Sequence, residues 1–168
     1  GCSALQSIII PDSVTSIGSR AFYGCSSMES ITLSSSLVEI NAYAFYYCYK
    51  LESILIPASV TYIGEYSFAS MSGLKEIIFE DNSSLEYIGN SAFSGLENWN
   101  ADLFMIPNSV KHIGNYAFWN CSSVSFVISK ESQLTYIGEN AFYYYTKDKR
   151  SYIYLSSKVE TIGKYAFG

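Results

Sequence analysis

Apolar residues recur along this chain in one short phrase at nearly constant intervals. Ile17-Gly18-Ser19-Arg20-Ala21-Phe22 is followed by versions of itself beginning at Ile40, Ile63, Ile88, Ile113, Ile137 and Ile162. Successive isoleucines lie 23, 23, 25, 25, 24 and 25 residues apart. A fixed period of twenty to fifty residues marks a solenoid, a propeller or an array, and a propeller blade needs about forty residues. The period therefore predicts the coils of a solenoid.

The third repeat is the clearest: Leu51-Glu52-Ser53-Ile54-Leu55-Ile56-Pro57-Ala58-Ser59-Val60-Thr61-Tyr62-Ile63-Gly64-Glu65-Tyr66-Ser67-Phe68. Ile54 and Ile56 stand at period two, so both side chains point to one face of a short strand. Pro57, like Pro11 and Pro107, cannot donate to a ladder, so it ends the pairing and turns the chain. Val60 and Ile63 are expected to face inward across the second side of the coil. The stretch after the glycine is too short for a stable helix and predicts one helical or 3₁₀ turn, whose Phe plugs the core. Gly18, Gly64, Gly89, Gly114, Gly138 and Gly163 form a column interrupted only by Asn41. Asn tolerates positive φ best among the other residues, so this column is expected to pass through the left-handed region.

A single coil cannot bury its apolar edge, and stacking makes the core continuous. The predicted inward pairs are Ile8/Ile10, Ile31/Leu33, Ile54/Ile56, Ile77/Phe79, Phe104/Ile106, Val127/Ser129 and Ile153/Leu155, with Ser129 the weak member. Extra residues fall at corners, in Glu80-Asp81-Asn82-Ser83-Ser84, Glu97-Asn98-Trp99-Asn100 and Thr146-Lys147-Asp148-Lys149, as insertions in solenoids do. Both termini are cut in phase with the repeat and neither reads as a polar cap. The expectation is one solenoid domain, 1–168, excised from a longer repeat protein.

The unit Leu-x-x-Ile-x-Ile-Pro-x-Ser-Val-x-x-Ile-Gly-x-x-Ala-Phe-x-x-Cys resembles the BspA-like leucine-rich repeat over essentially the whole chain. The resemblance implies an α/β fold: a right-handed solenoid of seven coils of 23–25 residues, with a parallel sheet on the concave side and short strand, 3₁₀ or helical turns opposite. It also implies a cell-surface or secreted protein of bacteria or some protists, with several relatives associated with adhesion to host matrix proteins.

Composition narrows the function from the other side. The chain is 49% hydrophobic and carries a net charge of −5. That much apolar material excludes a disordered chain, and the acidic balance argues against nucleic acid. Apolar runs such as Ile8-Ile9-Ile10 are too short to span a bilayer, so no membrane insertion is expected of this segment. Cys2, Cys25 and Cys48 lie 23 residues apart, and Cys25, Cys48 and Cys121 each lie three residues after a plug Phe, in a column that elsewhere holds Met71, Leu96 and Tyr145; all four read as buried free thiols. His112, the single histidine, follows Tyr62 and Tyr87 and precedes Tyr136 in the position before the isoleucine, which predicts an aromatic ladder about 5 Å in spacing. No HExxH, CxxC, phosphate loop or nucleophile elbow occurs, so no enzyme activity, cofactor or metal is expected.

The candidate site is a patch on the outward side of the last strands. Leu103, Met105, Phe126, Ile128, Tyr152 and Tyr154 are read there as exposed, and aromatic and Met side chains are enriched at interface cores. Two plainer readings stand beside it: such residues simply suit a sheet, or a neighbouring domain covers them. The leading functional reading is a non-enzymatic module binding a host or partner protein, a host matrix or surface protein being the implied class. The alternative is a structural spacer that presents other domains. On the first reading, replacing Phe126 and Tyr152 by Ser weakens binding and leaves the melt intact.

Overall fold

A computed structural model describes residues 1–143 and 151–168. The expected corner at Thr146–Lys149 and the column member Tyr145 lie outside the described residues. Among the described residues, fourteen short strands alternate between two faces. One face carries β1 (Ser7–Ile9), β3 (Ser30–Thr32), β5 (Ser53–Ile56), β7 (Glu76–Phe79), β9 (Phe104–Met105), β11 (Phe126–Ile128) and β13 (Tyr152–Ile153). The other carries β2 (Ser16–Ile17), β4 (Glu39–Ile40), β6 (Tyr62–Ile63), β8 (Tyr87–Ile88), β10 (His112–Ile113), β12 (Tyr136–Ile137) and β14 (Thr161–Ile162). All pairs are parallel, and each isoleucine of the recurring phrase sits opposite the next, Ile17 on Ile40 through Ile137 on Ile162.

The even strands form one unbroken seven-stranded sheet, while the odd strands divide into β1-β3, β5-β7 and β9-β11-β13. Between the first and last even strands the chain closes about six turns, so the seven repeated phrases bound six circuits. No helix forms among the described residues. The expected α/β class gives way to a parallel β-solenoid.

The reason lies in the turn after each glycine. Arg20, Phe22 and Gly24 donate their N–H groups to Ala42, Ala44 and Tyr46 of the next coil at 3.0, 2.8 and 2.8 Å. Ala21, Tyr23 and Cys25 donate instead to the carbonyl three residues back, at 3.1, 3.2 and 3.1 Å. Alternate amides thus serve the coil and the stack. A left-handed residue enforces the alternation: Arg20, Tyr43, Tyr66, Ser91, Tyr116, Asn140 and Tyr165 all have φ between 52° and 59°. A helix needs consecutive right-handed residues, so it cannot form across them.

The left-handed position is therefore two residues beyond the glycine column, not in it. None of the column glycines has positive φ, contrary to expectation. What selects glycine from Gly64 onward is close approach, whereas a Cβ on Gly18, in the first coil, would meet nothing within 4 Å. A Cβ on Gly64 or Gly114 would sit 2.6 Å from a backbone nitrogen of the preceding coil, and on Gly138 or Gly163 only 2.4 Å. Stacked backbones leave no room for a side chain. Asn41 takes the position with its side-chain amide donating to Ser16 Oγ and Ile17 O, both at 3.1 Å.

The core is filed along the stack. Phe22, Phe45, Phe68, Phe93, Phe118, Phe142 and Phe167 stack ring on ring, with centroids 5.2–5.3 Å apart and planes within 11°. Val60 and Ile63 are buried as expected. Pro11, Pro57 and Pro107 each accept a turn bond from the valine three residues on. Full burial of one such large side chain contributes about 1.5–3 kcal/mol.

Candidate functional site

The candidate patch depends on which way the side chains of β9, β11 and β13 point. Phe104 pairs with Phe126 and Met105 with Val127; Val127 pairs with Tyr152 and Ile128 with Ile153. Side chains alternate along a strand, so Met105, Val127 and Tyr152 form one outward row. Leu103 and Met105 are each 60% exposed, Tyr152 59% and Tyr154 58%. Four of the six expected residues lie at the surface.

The other two do not. Phe126 and Ile128 are each 2% exposed and belong to the core. Phe126 packs its ring against Trp99, Phe118 and Phe142, at 6.1, 5.0 and 5.0 Å between centroids. Ile54 lies three positions after Leu51, whereas Phe126 lies two after Val124. Counting from the repeat's leucine misplaces this strand by one residue, and a one-residue slip turns every side chain to the opposite face.

Counting back from the corner finds the right register. Ile10, Ile56 and Ile106 each precede the corner proline and point inward, and Ile128 precedes Ser129 in the same way. Ser129 is thus a corner residue and not a weak core position. Its hydroxyl lies 2.7 Å from Asn108 Oδ1, accepts from the Glu131 N–H at 3.1 Å, and holds the Glu131 carboxyl below its usual pKa. In the last coil Ser151 lies opposite Phe126, and Ile153 and Leu155 both line the open end of the core with Phe126, Phe142 and Phe167. Ser151 Oγ accepts the Phe126 N–H at 2.6 Å.

A second cluster went unread in the sequence. Tyr43 stacks on Tyr66 at 5.1 Å and Tyr23 on Tyr46 at 5.5 Å, with the Arg20 guanidinium 5.2 Å from the Tyr43 ring centre. A hydrogen bond with Tyr46, before all else, pushes the Tyr47 phenol up to about 12. The run Tyr43-Ala44-Phe45-Tyr46-Tyr47 was its signal. These rings stack between neighbouring coils, so the cluster cements one coil to the next.

The histidine ladder forms as expected. Tyr62 and Tyr87 stack at 5.1 Å, and His112 lies 4.4 Å from Tyr87 and 4.3 Å from Tyr136. Desolvation between those rings pushes the His112 pKa down. Cys25, Cys48 and Cys121 are buried free thiols as expected, whereas Cys2, in the first coil with none stacked before it, is exposed. Burial raises the Cys48 and Cys121 pKa values to about 12, and both thiols donate to backbone carbonyls, of Phe22 at 3.2 Å and Phe93 at 3.1 Å. Among the described residues no three His, Cys, Asp or Glu side chains gather into a metal site, and no helix is long and apolar enough to cross a membrane.

Comparison with known proteins bears on the fold first. The model for the BspA type leucine rich repeat region (6 copies) matches residues 1–125 and 82–168, which together span the chain. A leucine-rich repeat protein from Bacteroides ovatus is 28% identical, with a TM-score of 0.62 over 86% of this chain and 42% of its own. One from Eubacterium ventriosum is 22% identical, with a TM-score of 0.78 over 98% of this chain and 42% of that one. The pneumococcal vaccine antigen PcpA is 21% identical, with a TM-score of 0.50 over 92% of this chain and 51% of its own. The chain thus spans about two fifths to one half of these proteins. No curated protein matches its sequence.

Proposed function

Since the chain belongs to the BspA-type leucine-rich repeat family, we propose that it is a non-enzymatic protein-interaction module of a bacterial cell-surface or secreted protein. The observation that carries this reading is the outward row Met105–Val127–Tyr152, flanked by Leu103 and Tyr154. Three hydrogen-bonded strands hold these side chains on a rigid frame. Little backbone entropy is lost when a partner covers them, and exposed aromatic and Met side chains are the types that interface cores favour. That a pneumococcal neighbour is a vaccine antigen supports surface exposure of such folds. The partner class is a host matrix or surface protein.

The test pairs Tyr152→Ser with Tyr154→Ser. Both side chains are exposed, so the thermal melt should stay within a degree or two of the parent, as for most surface changes. Affinity for a panel of immobilised extracellular-matrix proteins should drop at least tenfold. Equal binding by parent and variant removes the patch from the interface. A parent that binds nothing in the panel favours the spacer reading.

A further inference from the structure

The odd-strand face is interrupted twice, and the two interruptions differ. Between β3 and β5 the ladder bonds lapse, yet Cα atoms of the two strands still approach within 8 Å. Between β7 and β9 no pair of Cα atoms comes within 8 Å. On the opposite face of the same two coils, β8 and β10 remain paired through Tyr87–His112 and Ile88–Ile113. The stack therefore opens on one side only.

Three features of the sequence hold this seam apart. Trp99 takes the place of Leu51 and Leu74, fully buried, with its ring 4.5 Å from Phe104 in a T-shaped contact. Five residues lead from Trp99 to Phe104 where three lead from Leu51 to Ile54. At the other end of the strand, six lead from Phe79 to Leu85 where four lead from Ile56 to Val60. Both coils are thus longer at the seam, one at each end of it.

Two cavities lie end to end along the opening. One, of about 520 Å³, runs from Lys75–Ile77 to Trp99–Phe104; the other, of about 500 Å³, runs from Phe79–Ser83 to Met105–Ser109. Strands in a sheet sit about 4.8 Å apart, so a guest strand between two hosts needs about twice that, which a gap beyond 8 Å permits. The hosts supply what such a guest requires. Each has a ladder partner on one side only, β5 for β7 and β11 for β9. An unpaired strand edge is a template for another chain.

Charge selects among guests. Glu76 stands at one end of the seam and Asp81 at the other, while Glu80 turns back to accept the Ala58 N–H at 2.9 Å. The lysine nearby, Lys75, already bonds Glu52 at 2.7 Å. The floor is apolar, with Phe79 and Phe104 rings 5.7 Å apart beneath the gap.

We propose that the seam between β7 and β9 is an acceptor for an extended peptide strand carrying basic side chains, which completes the sheet by main-chain hydrogen bonds to both hosts. The proposal rests on the interaction reading above and adds the chemistry of the partner. Main-chain bonding gives such augmentation its affinity, and alternate side chains give it specificity.

The experiment uses a blocked, fluorescent octapeptide of alternating Lys and Val, titrated with the whole chain and read by anisotropy. Saturable binding is expected, with slowed amide exchange on β7 and β9. Glu76→Lys with Asp81→Lys, both exposed, should weaken it at least tenfold with an unchanged melt. N-methylation of alternate peptide amides should abolish it. A chain lacking Asn100 and Ala101, whose shorter coil lets the two hosts pair directly, should not bind.

Absence of saturable binding, equal affinity for the N-methylated peptide, or equal affinity for a Glu/Val peptide each overturns the proposal. So does a dimer in sedimentation that the peptide fails to dissociate, since a second copy would then fill the seam. Tyr152→Ser with Tyr154→Ser lies on or next to β13 and should bind the peptide like the parent. Loss of matrix-protein binding with the peptide retained would therefore separate the two sites. Loss of the peptide alone leaves the patch standing.

Discussion

The two faces of the solenoid are built from the same repeats and behave differently. The even face keeps seven strands in one hydrogen-bonded sheet, and the odd face breaks into three. From each isoleucine of the phrase to its Phe plug the spacing never changes, and every extra residue falls between one plug and the next isoleucine. Where coil backbones stack closely enough to exclude a Cβ, an added residue would break the register of all the coils above it. Where corners face solvent, it only lengthens a loop. The constant face thus holds the stack together, and the variable face is free to diversify the surface it presents.

The sharpest way to break that comparison is to contrast two neighbours on the odd face. Phe126→Ser should lower stability by about 4 kcal/mol, since it removes a ring from the core and leaves a hydroxyl there. Met105→Ser, on the adjacent strand and exposed, should change it by about 0.5 kcal/mol or less. Urea melts that rank the two the other way would show that the slipped register is wrong. The expected order, with Phe126→Ser the costlier change, retires the expectation that Phe126 can be altered without touching the melt.

Gly138→Ala tests the even face. Its Cβ would lie 2.4 Å from the Asn115 nitrogen, so the coils must part, at about 2 kcal/mol as for an overpacked core. A melt equal to the parent's would mean that the glycine column answers to something other than close approach.

The turn joining the faces offers a change of the opposite sign. Ser70 holds φ at 55°. Ser70→Gly should stabilise by about 0.5 kcal/mol, the left-handed strain relieved outweighing the chain entropy lost. Destabilisation in the same melts would show that the serine side chain matters more than its backbone.

The smallest effect concerns pH. His112, between two tyrosines on the even face, has its pKa lowered by burial, so the unfolded chain binds its proton more readily. Stability contributed by the neutral ring is complete above the unfolded value of about 6.5 and declines as pH falls through the interval down to the folded value. Below that it levels off. His112→Phe should remove this component of the stability–pH curve while keeping the stack. An identical curve for both proteins would contradict the assignment.

Much of this was open to reading in the residues. The Phe file, the buried thiols and the Tyr-His-Tyr ladder follow from columns of like residues one period apart, because parallel stacking brings equivalent positions together. The register of β11 could also be read, but only from the corner backwards. What stayed hidden was conformation. Arg20, Tyr43 and Tyr66 share no chemistry that favours the left-handed region, and it is their place in the stack that puts them there.

The sequence by itself determined the repeat, its period and the side chains that fill the axis, since burial and side-chain alternation are local properties of the pattern. The tertiary structure alone decided that turns replace helices, that glycine serves contact and not twist, and that the sheet parts between β7 and β9. Each of those outcomes depends on the backbone of a neighbouring coil, about two dozen residues away along the chain. No local preference can record such a neighbour.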